Sequence, residues 1–443
     1  MLYALLIVLV ALTGCGATTG PGNGNGDGDG DLPGNGNNNP DPAGPAMHNT
    51  IAYVPADTGD EIRVIDPDGS NDRQLWSHGE DDPFEVYGIW DLDWSPDARE
   101  IAFASSHENY CSLFYSDIYA VGTSGGNYRR MSAPPACGEL ADYPKATVNV
   151  PVRNYGSDSL VIFMYFLGAP SVQQISLPAF GSGMITFDDV ADLGAGVDQY
   201  GMMIEGSNRE LAASTAVDVQ PNGNHTTAEQ SVYHPGSPGW ESRSPTWHSD
   251  GTRVGYLFSF NTIYGIQEFP DLLELGDQLV TAEDMPNIIM HLNWNPAEEW
   301  ADELIYVGWN YSTNSIYWVQ EGTTDTPGTP LLDFASYEEV LGLAWLPDGN
   351  GFVFSVLEEF GEISNLWRYS FDTETATRIT SFTEGFAGDL SVSPDGNEIV
   401  FERGTETDLG WDFIDSELWI VGRDGGNLRM LVENAAKPDW SSN

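Results

Sequence analysis

The sequence predicts an all-β protein: a six-bladed β-propeller closed by its two termini, with an inserted β-sandwich. Three observations lead there. An apolar strand ending in Trp and followed by a Pro-Asp-Gly type turn returns through the chain; the spacing of its copies is nearly constant; and the first copy lacks its Trp strand, while the chain stops just after one.

The marker occurs at Leu92 to Asp97 (Leu-Asp-Trp-Ser-Pro-Asp), Pro245 to Gly251, Leu343 to Gly349, Leu390 to Gly396 with Val392 in place of Trp, and stretched at Leu292 to Pro296. From Trp247 to Trp294, Trp345, Val392 and Trp440 the intervals are 47, 51, 47 and 48 residues. That is a blade period. Asp97, Asp250, Gly251, Asp348, Gly349, Asp395 and Gly396 are the turn residues, Asp because it bonds its own backbone and Gly because it supplies positive φ. A second hairpin follows in each period, as at Asp66 to Gly69, Gly125 to Asn127 and Asp424 to Asn427. Each period therefore holds four strands, A to D.

Ile51 to Leu75 supplies strands B, C and D alone, and Trp440 ends an unaccompanied strand A. The termini are expected to share a blade, which with those of Trp94, Trp247, Trp294, Trp345 and Val392 makes six. Closure removes exposed sheet edges.

Trp94 and Trp247 lie 153 residues apart, leaving roughly a hundred beyond one blade. Apolar alternation through Val148-Val150-Val152, Val161-Phe163-Tyr165, Ile175-Leu177, Ile185-Phe187, Tyr200-Met202-Ile204 and Val217-Val219 predicts about seven strands and a sandwich. The expected organisation is 1–15 export signal, 16–49 tether, 50–144 propeller, 145–235 insert and 236–443 propeller.

Three resemblances add to this. The repeated turn and hairpin resemble the TolB-type, WD40-like PD propeller repeat over everything after Thr50 except the insert, which implies a protein-binding or scaffold role. Val152 to Gly156 and Leu193 to Gly196 give the insert a resemblance to the CARDB type of immunoglobulin-like domain; a generic sandwich fits equally. Leu12 to Cys15 (Leu-Thr-Gly-Cys), after the short apolar run Leu2 to Leu12, resembles a lipobox, which implies lipidation of Cys15 and an exported, membrane-anchored protein in the periplasm or at the cell surface. The Gly-, Asn- and Asp-rich stretch to Ala46 reads as a flexible tether.

With 67 acidic and 16 basic residues, the net charge is -51. Nucleic acid and anionic lipid are thereby disfavoured as partners, so the membrane is reached through the anchor only. Lys145 and Lys437 are the only lysines. That balance fits either a high-salt habitat or a plainly acidic exported protein.

Catalytic signals are weak. Gly122 to Gly126 satisfies the hydrolase expression Gly-x-Ser-x-Gly, but it occupies a C-to-D hairpin and not a strand-to-helix elbow. The seven histidines show no metal-ligand spacing, and His248 and His291 read as structural residues near the channel. No cofactor is expected, the turn Asp66 to Asp72 being the one calcium candidate. Cys111 and Cys137 fall on one propeller face, where they either form a disulfide or stay buried thiols. Long segments on that face, Ser105 to Ser116, Val356 to Asn365 and Arg403 to Asp415, are the expected binding loops. The function read from this is binding to a protein partner at the cell envelope, not catalysis. The alternative is a carbohydrate-active or lyase-type enzyme, which would need a carboxylate, His or Tyr cluster in the channel.

Overall fold

The computed structural model describes residues 43–78, 88–107, 116–132 and most of 143–442. Outside it lie 1–42, 79–87, 108–115, 133–142, 193–198, 206–217, 222–229, 234–241, 267–276 and some stretches of a few residues.

Six four-stranded antiparallel sheets form the propeller. Blade 1 takes its inner strand A from Ala435–Trp440 and strands B to D from Ile51–Pro55, Glu61–Ile65 and Arg73–Ser77. The other inner strands are Ile89–Trp94 in blade 2, Ser242–Trp247 in blade 3, Ile288–Trp294 in blade 4, Val340–Trp345 in blade 5 and Phe386–Val392 in blade 6. Closure by the termini is as expected: Ile51 pairs with Trp440 and Pro55 with Ala435. Thr50 and Ser441 reinforce the join through Thr50 N to Ser441 Oγ (2.9 Å) and Ser441 N to Thr50 O (2.8 Å).

Blades stack face to face, so strands B are apolar on both sides. Ile101, Ala102, Phe103 and Ala104 are all fully buried, as are Val254 and Tyr256. Each of the six seams has its own apolar cluster; Val400, Leu418 and Ile420 of blade 6, for instance, pack on Ile51, Tyr53 and Ile65 of blade 1. Each large side chain so buried contributes about 2 kcal/mol.

The marker turns have one geometry. The residue after Trp donates its N–H across the turn, as His248 to Arg253 O (2.9 Å), Leu346 to Gly351 O (2.8 Å) and Ser393 to Glu398 O (2.9 Å). Gly251, Gly349 and Gly396 hold φ near 70°, and Ala98 stands at the same position with φ 56. Left-handed backbone is what glycine permits.

Two of the expected long loops are strand instead. Val356 to Asn365 is mostly a continuation of strands B and C of blade 5, paired out to Glu358 and Ile363. Within Arg403 to Asp415, Glu406–Asp408 pairs with Asp412–Ile414 as a separate ladder. Both segments alternate in β-branched, aromatic and acidic residues, which extend a hairpin as readily as they decorate a loop.

Between blades 2 and 3, seven strands run from Lys145–Arg153 to Gln230–Tyr233 in a four-stranded and a three-stranded sheet. Val148, Val150 and Val152 share one core with Met164, Phe166, Leu177, Ile185 and Phe187. In the strand Leu160–Phe166, Met164 and Phe166 lie in this core.

Candidate functional site

Aligned on the Trp position, the six inner strands place two positions each at the channel, and all but Gly342 line its wall. Three residues before it stand Asp91, Ser244, His291, Gly342, Asp389 and Lys437; one residue before it stand Asp93, Thr246, Asn293, Ala344, Ser391 and Asp439. The first ring is made by backbone irregularity. Every inner strand slips register against strand B at or beside this position, for example between Met290 and Asn293, and between Ala387 and Leu390. Asp91, Ser244, His291 and Lys437 adopt φ of 38, 47, 50 and 55. A bulge re-aims a side chain, and left-handed non-glycine backbone costs on the order of 1 kcal/mol per residue. Four such residues on one ring single it out as the candidate site.

The second ring stitches blades together. Asp439 Oδ2 accepts the Trp94 N–H (2.6 Å), Asp93 Oδ2 that of Trp247, Thr246 Oγ1 that of Trp294 (3.0 Å) and Ser391 Oγ that of Trp440 (3.0 Å). Asn293 departs from this, donating Nδ2–H to Leu343 O (2.9 Å), and Ala344 has nothing to offer. In the first ring, Asp91 Oδ2 accepts from Ser244 N (3.0 Å), and Lys437 Nζ donates to Asp389 Oδ2 (2.9 Å). His291 Nδ1 lies 3.8 Å from Asp389 Oδ1, and its buried Nε2 has no hydrogen-bond partner.

Burial sets the electrostatics. Desolvation and the Asp439 charge push the Asp93 carboxyl well above its ordinary range, and desolvation lifts Asp439 to about 6. Glu402, behind Lys437 and accepting its backbone N–H (3.2 Å), is lifted to about 7 by burial. Desolvation holds His291 below the usual imidazole range, so it is neutral at pH 7.

The rings enclose a cavity of about 360 Å³ whose walls continue to Pro96, Ser249, Pro296, Pro347, Pro394 and Ser442. Its described lining therefore reaches the face of the short A-to-B turns. The first described residues cross that same face: Thr123 Oγ1 donates to Pro45 O (2.7 Å), and Met47 N to Ala98 O (2.7 Å).

Most site residues named from the sequence lie elsewhere. Cys15, Cys111 and Cys137 fall outside the described residues. Asp97, Asp250, Asp348 and Asp395 each accept a backbone N–H two residues on, which holds the turn. In the calcium candidate, Asp66 bonds Asn71 Nδ2 (2.6 Å), Asp68 bonds Ser70 N (2.9 Å) and Asp72 bonds Arg63 Nε (3.1 Å), so its carboxylates point at separate partners. Gly122 to Gly126 closes a hairpin through Gly122 N to Gly126 O (2.7 Å). Neither polar ring was singled out from the sequence, although stacking the copies Asp-Leu-Asp-Trp, His-Leu-Asn-Trp and Lys-Pro-Asp-Trp in columns would have exposed both.

No known family model matches the sequence, and no curated protein is detectably similar to it. Among solved structures, TolB from Acinetobacter baumannii is 16% identical, with 89% of this chain and 67% of that chain covered and a TM-score of 0.47. A chain of a nidogen/laminin complex is 6% identical over 88% of this chain and 98% of that one, TM-score 0.45. A prolyl endopeptidase is 11% identical over 90% of this chain and 50% of that one, TM-score 0.41. These are likenesses of fold. Among the described residues no helix is long and apolar enough to cross a membrane.

Proposed function

We propose that this chain is an exported binding propeller, anchored at the envelope by lipid on Cys15, whose channel receives the cationic end of a protein partner. One observation carries the choice of site: four residues with left-handed backbone turn a ring of side chains into a channel that reaches the A-to-B turn face. Four channel carboxylates face one lysine, and a proton shared by Asp93 and Asp439 leaves a net charge of about −2. A narrow low-dielectric cleft focuses that field. The matching ligand is an amino terminus or a Lys or Arg side chain on an extended segment. Because residues 43–47 cross the mouth face, the tether would leave from the same side, so the partner would be engaged between propeller and membrane.

A CARDB-like role for the insert and a Cys111–Cys137 disulfide belong to this proposal as further, separable parts. Peptide mapping without reductant tests the disulfide, and the intact mass of membrane-extracted protein tests acylation of Cys15. The second function, a channel enzyme, is favoured by His291 beside Asp389. Two features weigh against it: the 3.8 Å separation exceeds the roughly 3 Å that general-base relay needs, and Asp389 is already paired with Lys437.

The functional test is photo-crosslinking in intact cells, with the probe placed either at Pro347 on the mouth or at Glu358 on the opposite face. Capture of a discrete partner from Pro347 is expected. Capture from Glu358 alone would place binding on the other face and end this proposal.

A further inference from the structure

We propose that the seam between blades 3 and 4 holds one divalent transition-metal ion through His248, Asp302 and Glu321. This site is separate from the channel and does not depend on how the channel is used.

His248 follows Trp247 and is pinned in the marker turn by its backbone bond to Arg253 O. Its imidazole is only 5% exposed and packs edge-on against Trp294, with ring centroids 4.9 Å apart. Nδ1 lies 2.8 Å from Asp250 Oδ2 and 3.2 Å from Asp250 N, whose N–H points at it. An ion on Nε2 selects the tautomer in which Nδ1–H donates to the Asp250 carboxylate, the nearer of the two contacts. Nε2 is buried, has no hydrogen-bond partner, and faces Asp302 Oδ1 at 3.9 Å. An imidazole oriented by a carboxylate on one nitrogen, with the other bare, is how protein metal ligands are commonly held.

The two carboxylates are brought together by the fold. Glu321 N–H donates to Asp302 O (2.8 Å), tying the C-to-D turn of blade 4 to its A-to-B turn. One ligand atom from each of His248, Asp302 and Glu321 lies within 4.8 Å of the others. Asp302 is 65% exposed and free to rotate inward, which shortens these separations toward the roughly 3.5 Å of ligands on a shared ion.

Charge points the same way. Asp250, Asp302 and Glu321 surround a single cation, Arg253, whose Nη1 meets Glu321 Oε1 at 2.6 Å and whose Nε lies 3.6 Å from Asp250 Oδ2. Three carboxylates against one guanidinium leave about two negative charges uncompensated, which a divalent ion balances. One imidazole nitrogen with two carboxylate oxygens suits zinc, cobalt or manganese; calcium and magnesium prefer oxygen alone.

The test uses the full chain, stripped by chelator and titrated with zinc chloride by calorimetry in molar KCl and excess magnesium, so that diffuse uptake by the acidic surface is suppressed. One saturable equivalent is expected. Asp302→Asn, at an exposed position that does not threaten folding, and His248→Gln should each weaken it tenfold or more; Asp348→Asn, in the A-to-B turn of blade 5, should not. Absence of a saturable equivalent, or uptake unchanged in Asp302→Asn, overturns the site.

Discussion

Lys437 Nζ and Asp389 Oδ2 meet at 2.9 Å inside the channel, each delivered by the register slip of its own inner strand, one in blade 1 and one in blade 6. The pair therefore bridges the seam between blade 6 and blade 1, beside the sheet in which the N- and C-terminal strands meet.

Because both side chains are about four-fifths buried, removing one partner strands the other's charge. Lys437→Met is expected to destabilise by about 2 kcal/mol, and Asp389→Asn by somewhat less, since Lys437 can turn toward other channel carboxylates. Denaturant unfolding of both single variants and of the double variant checks this. The double variant should recover at least about 1 kcal/mol against additivity.

Stability should rise as pH falls from about 7.5 to about 5.5. Asp439, lifted to about 6, and Glu402, lifted to about 7, hold protons in the fold that the unfolded chain has released, so their contribution is full below the unfolded carboxylate range and is lost as pH climbs through those values. His291 acts oppositely, since its lowered pKa makes the fold lose stability as pH falls below about 6.5. Asp93 and Glu339, also raised by burial, act with those two carboxylates, and His107, lowered to about 3, acts with His291, so four carboxylates against two imidazoles leave a net gain. Melts across this range are the check, and Glu402→Gln should flatten the slope.

Gly349 and Gly251 share a turn position but not a neighbourhood. A Cβ on Gly349 would meet Asn295 Oδ1 at 2.6 Å, whereas one on Gly251 would meet nothing within 4 Å. Both alanine variants bear the left-handed cost of about 1 kcal/mol. Gly349→Ala should lose about 1 kcal/mol more, because Asn295 must shift and its bond to Ala297 N (3.0 Å) loosens with it.

A net charge of -51 repels itself in dilute buffer and is screened within about 3 Å at molar salt. The melting midpoint is expected to climb by several degrees between low and molar KCl. An unchanged midpoint removes the high-salt habitat from consideration.

The propeller was legible because it is written in repeats: a Trp phase marker, glycines where φ must be positive, and a first copy that lacks the strand the last one supplies. The channel was not. Asp91, His291 and Lys437 reach it through register slips, and a slip leaves no composition signal in a single strand. His248 shows the same limit, since its partners Asp302 and Glu321 come from two other turns and meet it only across the seam. The strands at Val356 to Glu358 and Ile363 to Asn365 were missed because acidic residues there read as solvent loop, although a blade's outer hairpin can carry them on its exposed edge.

The central claim is that the acidic channel binds a cationic end, and calorimetric titration of the full chain with paired peptides tests it most directly. The peptides would be identical except that one has a free amino terminus followed by Lys and the other is acetylated with norleucine in its place. The account predicts that the charged peptide binds at least tenfold more tightly and that the difference vanishes in an Asp91→Asn, Asp389→Asn double variant. Equal binding of the two peptides, or a preference that survives in the double variant, would contradict it.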